Sequence, residues 1–128
     1  MEHILITGIS GYFGQKLVKL FHDRPGVKRI TGIDIRPPRC ESGKLEFIEC
    51  DVRGPLDAVF EGRDIDCVIH TAYILPPIPD VALMEDINVN GTKNVLSTAA
   101  KYRVRQILDC SSATAYGFHP DNPGELTE

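Results

Sequence analysis

The sequence predicts an α/β domain built on a parallel, doubly wound sheet. Three observations predict it. Short apolar runs alternate with amphipathic stretches of helical period. A set of glycines follows the first apolar run directly, and a helical pattern begins on them. The polar residues with chemical capacity (Thr7, Asp34, Asp51, His70, Ser111 and Ser112) all stand at the carboxyl ends of apolar runs. Ligands of open parallel sheets bind beyond those ends.

The elements follow in order. His3-Ile4-Leu5-Ile6-Thr7 is almost continuously apolar and reads as a strand buried on both faces. After the glycines comes a helix with Phe13, Leu17, Val18, Leu20 and Phe21 as its apolar positions, ended by Pro25-Gly26. Residues 29–35 form a second strand that includes Asp34. Residues 36–44 carry Pro37-Pro38 and Gly43 and form a loop. Leu45 to Cys50 is a third strand, followed by Asp51. Leu56 to Glu61 makes one short helix, and Cys67 to Ala72 is a fourth strand. The three prolines between Ile74 and Pro79 impose a loop. From about Val81 to Tyr102 the pattern is helical, with Ile87, Val95, Leu96, Ala99 and Ala100 as its stripe and an interruption at Gly91. Gln106 to Ser111 is the fifth strand, and the Pro/Gly-rich residues 119–128 are loop. Strands alternating with helices require right-handed crossovers, and no repeat or second domain is visible.

The chain of 128 residues suits one domain, with 42% hydrophobic and 25% charged residues. A net charge of −4 and the lack of a basic run argue against nucleic acid or an anionic membrane as partner. No apolar stretch approaches the roughly 20 residues that span a bilayer, and no signal peptide is visible. The expected setting is cytoplasmic. Cys50, Cys67 and Cys110 read as small buried hydrophobes in a reducing compartment, and Cys40 as an exposed loop thiol. Their spacing suits no metal.

The glycines carry the first chemical reading. In Thr7-Gly8-Ile9-Ser10-Gly11-Tyr12-Phe13-Gly14, Gly8 permits the sharp turn out of the strand. Gly11 lets a diphosphate approach the backbone, and Gly14 lets the helix pack against the strand. The helix N-terminus then presents N–H groups and a positive dipole end to the diphosphate. Asp34, 20 residues past Gly14, suits both hydroxyls of an adenosine ribose and repels a 2′-phosphate. That favours NAD over NADP. Ile35 and Arg36 belong to the same region, and the Arg36 guanidinium is the one feature that suits NADP. Asp51-Val52 reads as the adenine wall, with Asp51 accepting from the exocyclic amine or, as a plain alternative, capping a helix.

These segments, together with His70-Thr71-Ala72, Asn88-Val89-Asn90-Gly91-Thr92 and Ser111-Ser112-Ala113-Thr114-Ala115-Tyr116-Gly117, occur in one order. The set resembles the extended short-chain dehydrogenase/reductases, the NAD-dependent epimerase/dehydratase group, with a flavour of the nucleotide-sugar epimerases. The resemblance implies a Rossmann-type fold. It implies that Ser112 hydrogen-bonds the reacting hydroxyl or carbonyl, with Ser111 beside the cofactor. It implies that Asn88 supports the cofactor end, and that His70, Thr71 and Ala72 pass under the ribose and diphosphate. Tyr12 and Phe13 would add backbone N–H contacts to the phosphates, and Tyr116 would lie at the substrate mouth. Plain alternatives stand beside these roles: Asn88 kinking its helix, His70 satisfied by neighbouring groups, Tyr116 packing.

The tyrosine–lysine pair (YxxxK) that handles the proton in this group is expected beyond the SSATAYG segment. The single YxxxK here, Tyr12 to Lys16, lies on the phosphate-binding helix. Leu126-Thr127-Glu128 resembles the lead-in to the true pair. The chain therefore reads as the N-terminal, NAD(P)-binding part of a longer oxidoreductase acting on a nucleotide sugar or related hydroxyl compound. It is expected to bind cofactor without full catalysis and to self-associate, as a homo-oligomer, through the edge of its fifth strand or through exposed helix faces. The alternative is a non-catalytic NAD(P) sensor or interaction module. Acyl or phosphoryl transfer finds no GxSxG or GxxxxGK[ST] sequence.

Overall fold

Five strands form one parallel sheet in the order β3-β2-β1-β4-β5. The structure is a computed structural model and describes residues 1–112, 117, 120 and 121. The elements are β1 (His3–Thr7), α1 (Tyr12–His22), β2 (Arg29–Asp34), β3 (Leu45–Glu49), α2 (Asp57–Phe60), β4 (Cys67–His70), α3 (Val81–Glu85), a π-helical turn (Asp86–Gly91), α4 (Thr92–Lys101) and β5 (Gln106–Asp109). The elements follow one another along the chain as the alternation predicts, and in the sheet β1 lies at the centre. The sheet is wound outward from β1, through β2 and β3 on one side and β4 and β5 on the other. The change of direction between β1 and β4 opens a crevice at their carboxyl ends.

The register lines those ends up. Thr7 pairs with Ile33 and with His70, and His70 pairs with Asp109. The chemistry-bearing residues that follow each strand therefore leave the sheet along one line. Period-2 alternation separates two cores. Leu5, Ile33 and Val68 pack on one face with Val52, Leu56, Val59, Phe60, Val95 and Ala99, beneath α2 and α4. Ile4, Ile6, Ile30, Cys67 and Ile69 pack on the other face with Ile9, Val18 and Val27, beneath α1. Every residue of β1 is buried, which accounts for its unbroken apolar run.

Several expectations are corrected. β4 ends at His70 and β5 at Asp109, so Thr71-Ala72 and Cys110-Ser111 are not strand but the first loop residues beyond it. The long helix is three pieces, because the π-helical turn inserts between α3 and α4. On α1 the predicted apolar stripe is only half covered: Val18 is buried, whereas Phe13 and Leu20 are exposed. Among the thiols Cys67 is buried, but Cys110 is exposed and Cys50 half-buried, because both lie just past strand ends. Cys40, expected to be exposed, packs at the margin of the α1-side core. All of β5 is exposed, with Ile107 at 38% and Leu108 at 49%. Among the described residues no helix is long and apolar enough to cross a membrane.

Candidate functional site

The turn after β1 is shaped by two close approaches. Gly8 has φ +69°, and a Cβ there would lie 2.7 Å from the backbone nitrogen of Ala72. A Cβ on Gly14 would lie 2.5 Å from the carbonyl oxygen of Gly8. The first glycine thus lets β1 turn against the segment after β4, and the second lets α1 start hard against that turn. Backbone bonds fix the turn further: Gly8 N–H donates to Ile33 O at 2.9 Å, and Gly11 N–H to Gly8 O at 3.0 Å. The first i→i−4 bond of α1 runs from Gln15 N–H to Gly11 O at 3.1 Å. The N–H groups of Tyr12, Phe13 and Gly14 precede it and point out of the helix end. The rings of Tyr12 and Phe13 meet edge to face at 5.5 Å and stay exposed, so these two residues can serve a phosphate only through their backbone. Lys16 Nζ sits 5.5 Å above the Tyr12 ring centroid, a cation–π contact with the ring face.

Two cavities open along the carboxyl ends of the strands. The larger, about 390 Å³, brings together Gly8, Gly11, Asp34, Ile35, Arg36, Asp51, Val52, Thr71 and Ala72. Nine of the residues singled out from the sequence therefore share one cleft. Ile33, Ile74, Leu83 and Ile87 give it an apolar wall. The second, about 280 Å³, holds His70, Asn88, Ser111 and Ser112 with Tyr73, Leu75, Thr92 and Cys110. Ala72 and Tyr73 line both.

At one end of the large cleft, Asp34 is held by backbone donors. Its Oδ2 accepts from Ser10 N–H at 3.0 Å and its Oδ1 from Arg36 N–H at 3.3 Å. The Ser10 hydroxyl donates to Arg36 O. A carboxylate has about four lone-pair positions, so both oxygens keep capacity for hydroxyl donors. Asp51 differs, because both its oxygens already accept from the Arg53 guanidinium, the closest contact being 2.7 Å. Those bonds hold the Asp51 carboxyl below its ordinary range. Arg53 also donates to Asp86 at 3.0 Å, tying the segment after β3 to the π-helical turn. Asp51 thus lines the cleft as half of an ion pair, and α2 takes Leu56 rather than Asp51 as its N-cap.

Asn88 faces the other side. Its Oδ1 accepts from Ile74 N–H at 2.8 Å and its Nδ2 donates to Ile74 O at 3.0 Å. This side chain pins the loop after β4 like a neighbouring strand. His70 is buried beneath the same loop, with Nδ1 at 2.6 Å from Thr7 Oγ1 and Nε2 at 2.9 Å from Thr92 Oγ1. Burial pushes its pKa down, opposed by the charge of Asp109. Burial and the neighbouring Asp109 charge push the Cys110 thiol up, so it stays protonated beside Ser111. Ser10, Arg53, Thr92 and Ile74 are the participants the sequence reading assigned no role. Two of them had a signal: Ser10 lies inside the Thr7–Gly14 segment, and Thr92 four residues after Asn88 in the NVNGT segment. Tyr116 and the rest of Ala113 to Tyr116 lie outside the described residues.

A profile of the NAD dependent epimerase/dehydratase family matches residues 4–128. The chain belongs to that family. It is 31% identical over 124 residues to the sterol-4-alpha-carboxylate 3-dehydrogenase, decarboxylating, of Candida albicans. That match covers 88% of this chain and 35% of that protein. The crystal structure of Bordetella bronchiseptica WbmH in complex with NAD+ matches with a TM-score of 0.81 and 26% identity, over 95% of this chain and 43% of that one. WbmG of the same organism, in complex with NAD and UDP, matches with a TM-score of 0.76 and 30% identity, over 89% and 38%. The chain spans less than half the length of each of these proteins.

Proposed function

We propose that this chain binds NAD in the 390 Å³ cleft and forms the cofactor-holding part of an oxidoreductase of the epimerase/dehydratase type. The observation that carries the reading is the pairing, within one cleft, of the Gly8 turn with the backbone-braced Asp34 carboxylate. A diphosphate is placed where the free N–H groups of α1 emerge, at a turn that Gly8 and Gly14 let pack tightly against its neighbours. Asp34 has oxygen capacity for the two ribose hydroxyls, and its charge opposes a 2′-phosphate. Val52, Ile74 and Leu83 supply apolar surface for the adenine, with Asp51 held beside them by Arg53.

The nicotinamide end is directed toward the second cavity, where Ser112 stands beyond β5. When bound, NAD supplies a hydride acceptor there. Ser112 hydrogen-bonds the reacting hydroxyl of a nucleotide sugar or related hydroxyl compound, and Ser111 and Ala72 flank it. The proton step needs a tyrosine–lysine pair, and Tyr12–Lys16 does not serve, since the Lys16 ammonium faces the Tyr12 ring beside the phosphate turn. The 128-residue chain is therefore proposed to bind cofactor while turning over little. Loss of a general acid/base costs about 10²–10⁴-fold. The exposed edge of β5 supports a homo-oligomer, and four free thiols suit the reducing cytoplasm.

Calorimetric titration with NAD and NADP, each with and without a UDP-sugar, tests the reading. The expected result is binding of NAD in preference to NADP. Failure of both dinucleotides to bind the folded chain overturns it.

A further inference from the structure

Four polar side chains beneath the loop after β4 form a circuit in which every proton can be counted. Thr92 has a single hydroxyl proton, which it donates to Asn88 O at 2.7 Å. Toward His70 Nε2, at 2.9 Å, the Thr92 oxygen can therefore only accept, so Nε2 carries a hydrogen. In a neutral imidazole the other nitrogen is then bare. His70 Nδ1 accepts the Thr7 hydroxyl proton at 2.6 Å. With its proton turned toward the histidine, Thr7 Oγ1 offers its lone pairs elsewhere. It accepts from Thr71 N–H at 3.2 Å and from Ala72 N–H at 3.3 Å. Those two N–H groups belong to the backbone against which Gly8 turns.

The circuit closes on itself. Asn88, whose carbonyl receives the Thr92 proton, clamps Ile74 with both ends of its amide. Residues 71–74 are thus held at one end by Thr7 and at the other by Asn88, and His70 and Thr92 join the two anchors. Neither His70 nor Thr92 lines the large cleft. The imidazole is 3% exposed, and β1, β4 and α4 each contribute one member.

We propose that His70 is a positioning residue for the dinucleotide turn, fixed as the neutral Nε2–H tautomer by Thr92 so that Thr7 can hold Thr71 and Ala72. The effect on affinity rests on the NAD-binding reading above, whereas the tautomer does not. A switch to the Nδ1–H tautomer would set a donor against the Thr7 hydroxyl. That hydroxyl would have to reorient, and it would hold the turn less well. Thr92 therefore acts on Thr71 and Ala72 in the large cleft, which it does not itself line.

The experiment uses the 128-residue chain with ¹⁵N-labelled histidine, the His70 signals being assigned by their loss in His70→Asn. In the wild type at neutral pH, Nδ1 should give a bare, pyridine-type signal and Nε2 a protonated, pyrrole-type signal. Thr92→Ser keeps the hydroxyl and should keep both the spectrum and the NAD affinity. Thr92→Val keeps the shape and loses the acceptor. It should mix or invert the tautomers and raise the NAD Kd by roughly 2- to 10-fold, the size of one net hydrogen bond. A wild-type His70 that is protonated on Nδ1 overturns the proposal. So does a Thr92→Val protein with an unchanged spectrum or an unchanged NAD affinity. If the wild type binds no NAD, the binding reading fails and the spectra alone decide the tautomer. If Thr92→Val does not fold, the wild-type and Thr92→Ser spectra still decide it.

Discussion

The two sides of the sheet are finished to different degrees. On the β1–β2 side β1 is buried throughout and β2 between its ends, with only the outer strand β3 partly open; the turn after β1 is braced by backbone bonds, and Asp34 accepts from two main-chain donors. On the β5 side all four strand residues are exposed, and Cys110 beyond them is exposed as well. Among the described residues β5 pairs only with β4. The contrast teaches which of the proposed contacts local sequence can build. A diphosphate and a ribose need a tight turn, a helix end and one carboxylate, all found within residues 7–36. On the other side the structure shows Ser111 and Ser112 at the lip of the second cavity, beyond an exposed β5.

The strongest way to break the contrast is at the turn. Gly8→Ala places a Cβ against the Ala72 backbone at a φ that side chains rarely adopt. It should cost roughly 2–4 kcal/mol of stability and abolish NAD binding, as read by urea denaturation and calorimetry. A variant of wild-type stability would show that the close approach is relaxed in solution.

Next in size is Asp34→Ala. It removes the proposed charged acceptor for the ribose and also the partner of Ser10 N–H. The NAD Kd should rise about 10- to 100-fold, and the preference over NADP should shrink or reverse. An unchanged NAD/NADP ratio would separate Asp34 from the ribose.

Acidification gives a smaller, global effect. Burial lowers the pKa of both His3 and His70. In the unfolded chain both take up protons near pH 6.5, before they do so in the fold. The stability linked to them is complete above that pH and is lost as pH falls toward the folded values. The urea midpoint should therefore drop between pH 7 and pH 5. A midpoint that rises over that interval would contradict the burial of both imidazoles.

The smallest effect sharpens the contrast from the other side. Ile107→Lys with Leu108→Lys charges the β5 surface, where both residues are already exposed. NAD affinity should stay within about twofold, the scale of a surface change. Sedimentation should show less self-association, because lysines on an edge oppose strand pairing. A wild-type chain that stays monomeric at high concentration would remove the expectation of an oligomer.

What the sequence made legible follows the same division. The turn was legible because only glycine tolerates the φ and the contacts of Gly8 and Gly14. Asp34 was legible because its spacing from the turn is set by one strand–helix–strand unit. Strand ends were overestimated, since Thr71-Ala72 and Cys110-Ser111 look like continuations of apolar runs. Only the register shows the ladder stopping at His70 and Asp109. The π-helical turn was hidden because its one-residue offset leaves composition untouched, and its partners, Ile74 and Arg53, lie far off in sequence. Phe13 and Cys110 were misjudged for a shared reason. Periodicity says which face a residue takes, but not whether anything covers that face.

The central claim is that one cleft, walled by Gly8, Gly11, Asp34 and Ala72, holds the adenosine and diphosphate of the dinucleotide. An amide NMR titration of the folded chain with NAD tests this most directly. The account predicts saturable shifts concentrated at residues 8–14, 34–36, 51–53 and 71–74, with the β5 amides of Ile107 and Leu108 little changed. Shifts confined to other surfaces, or none at saturating NAD, would contradict it.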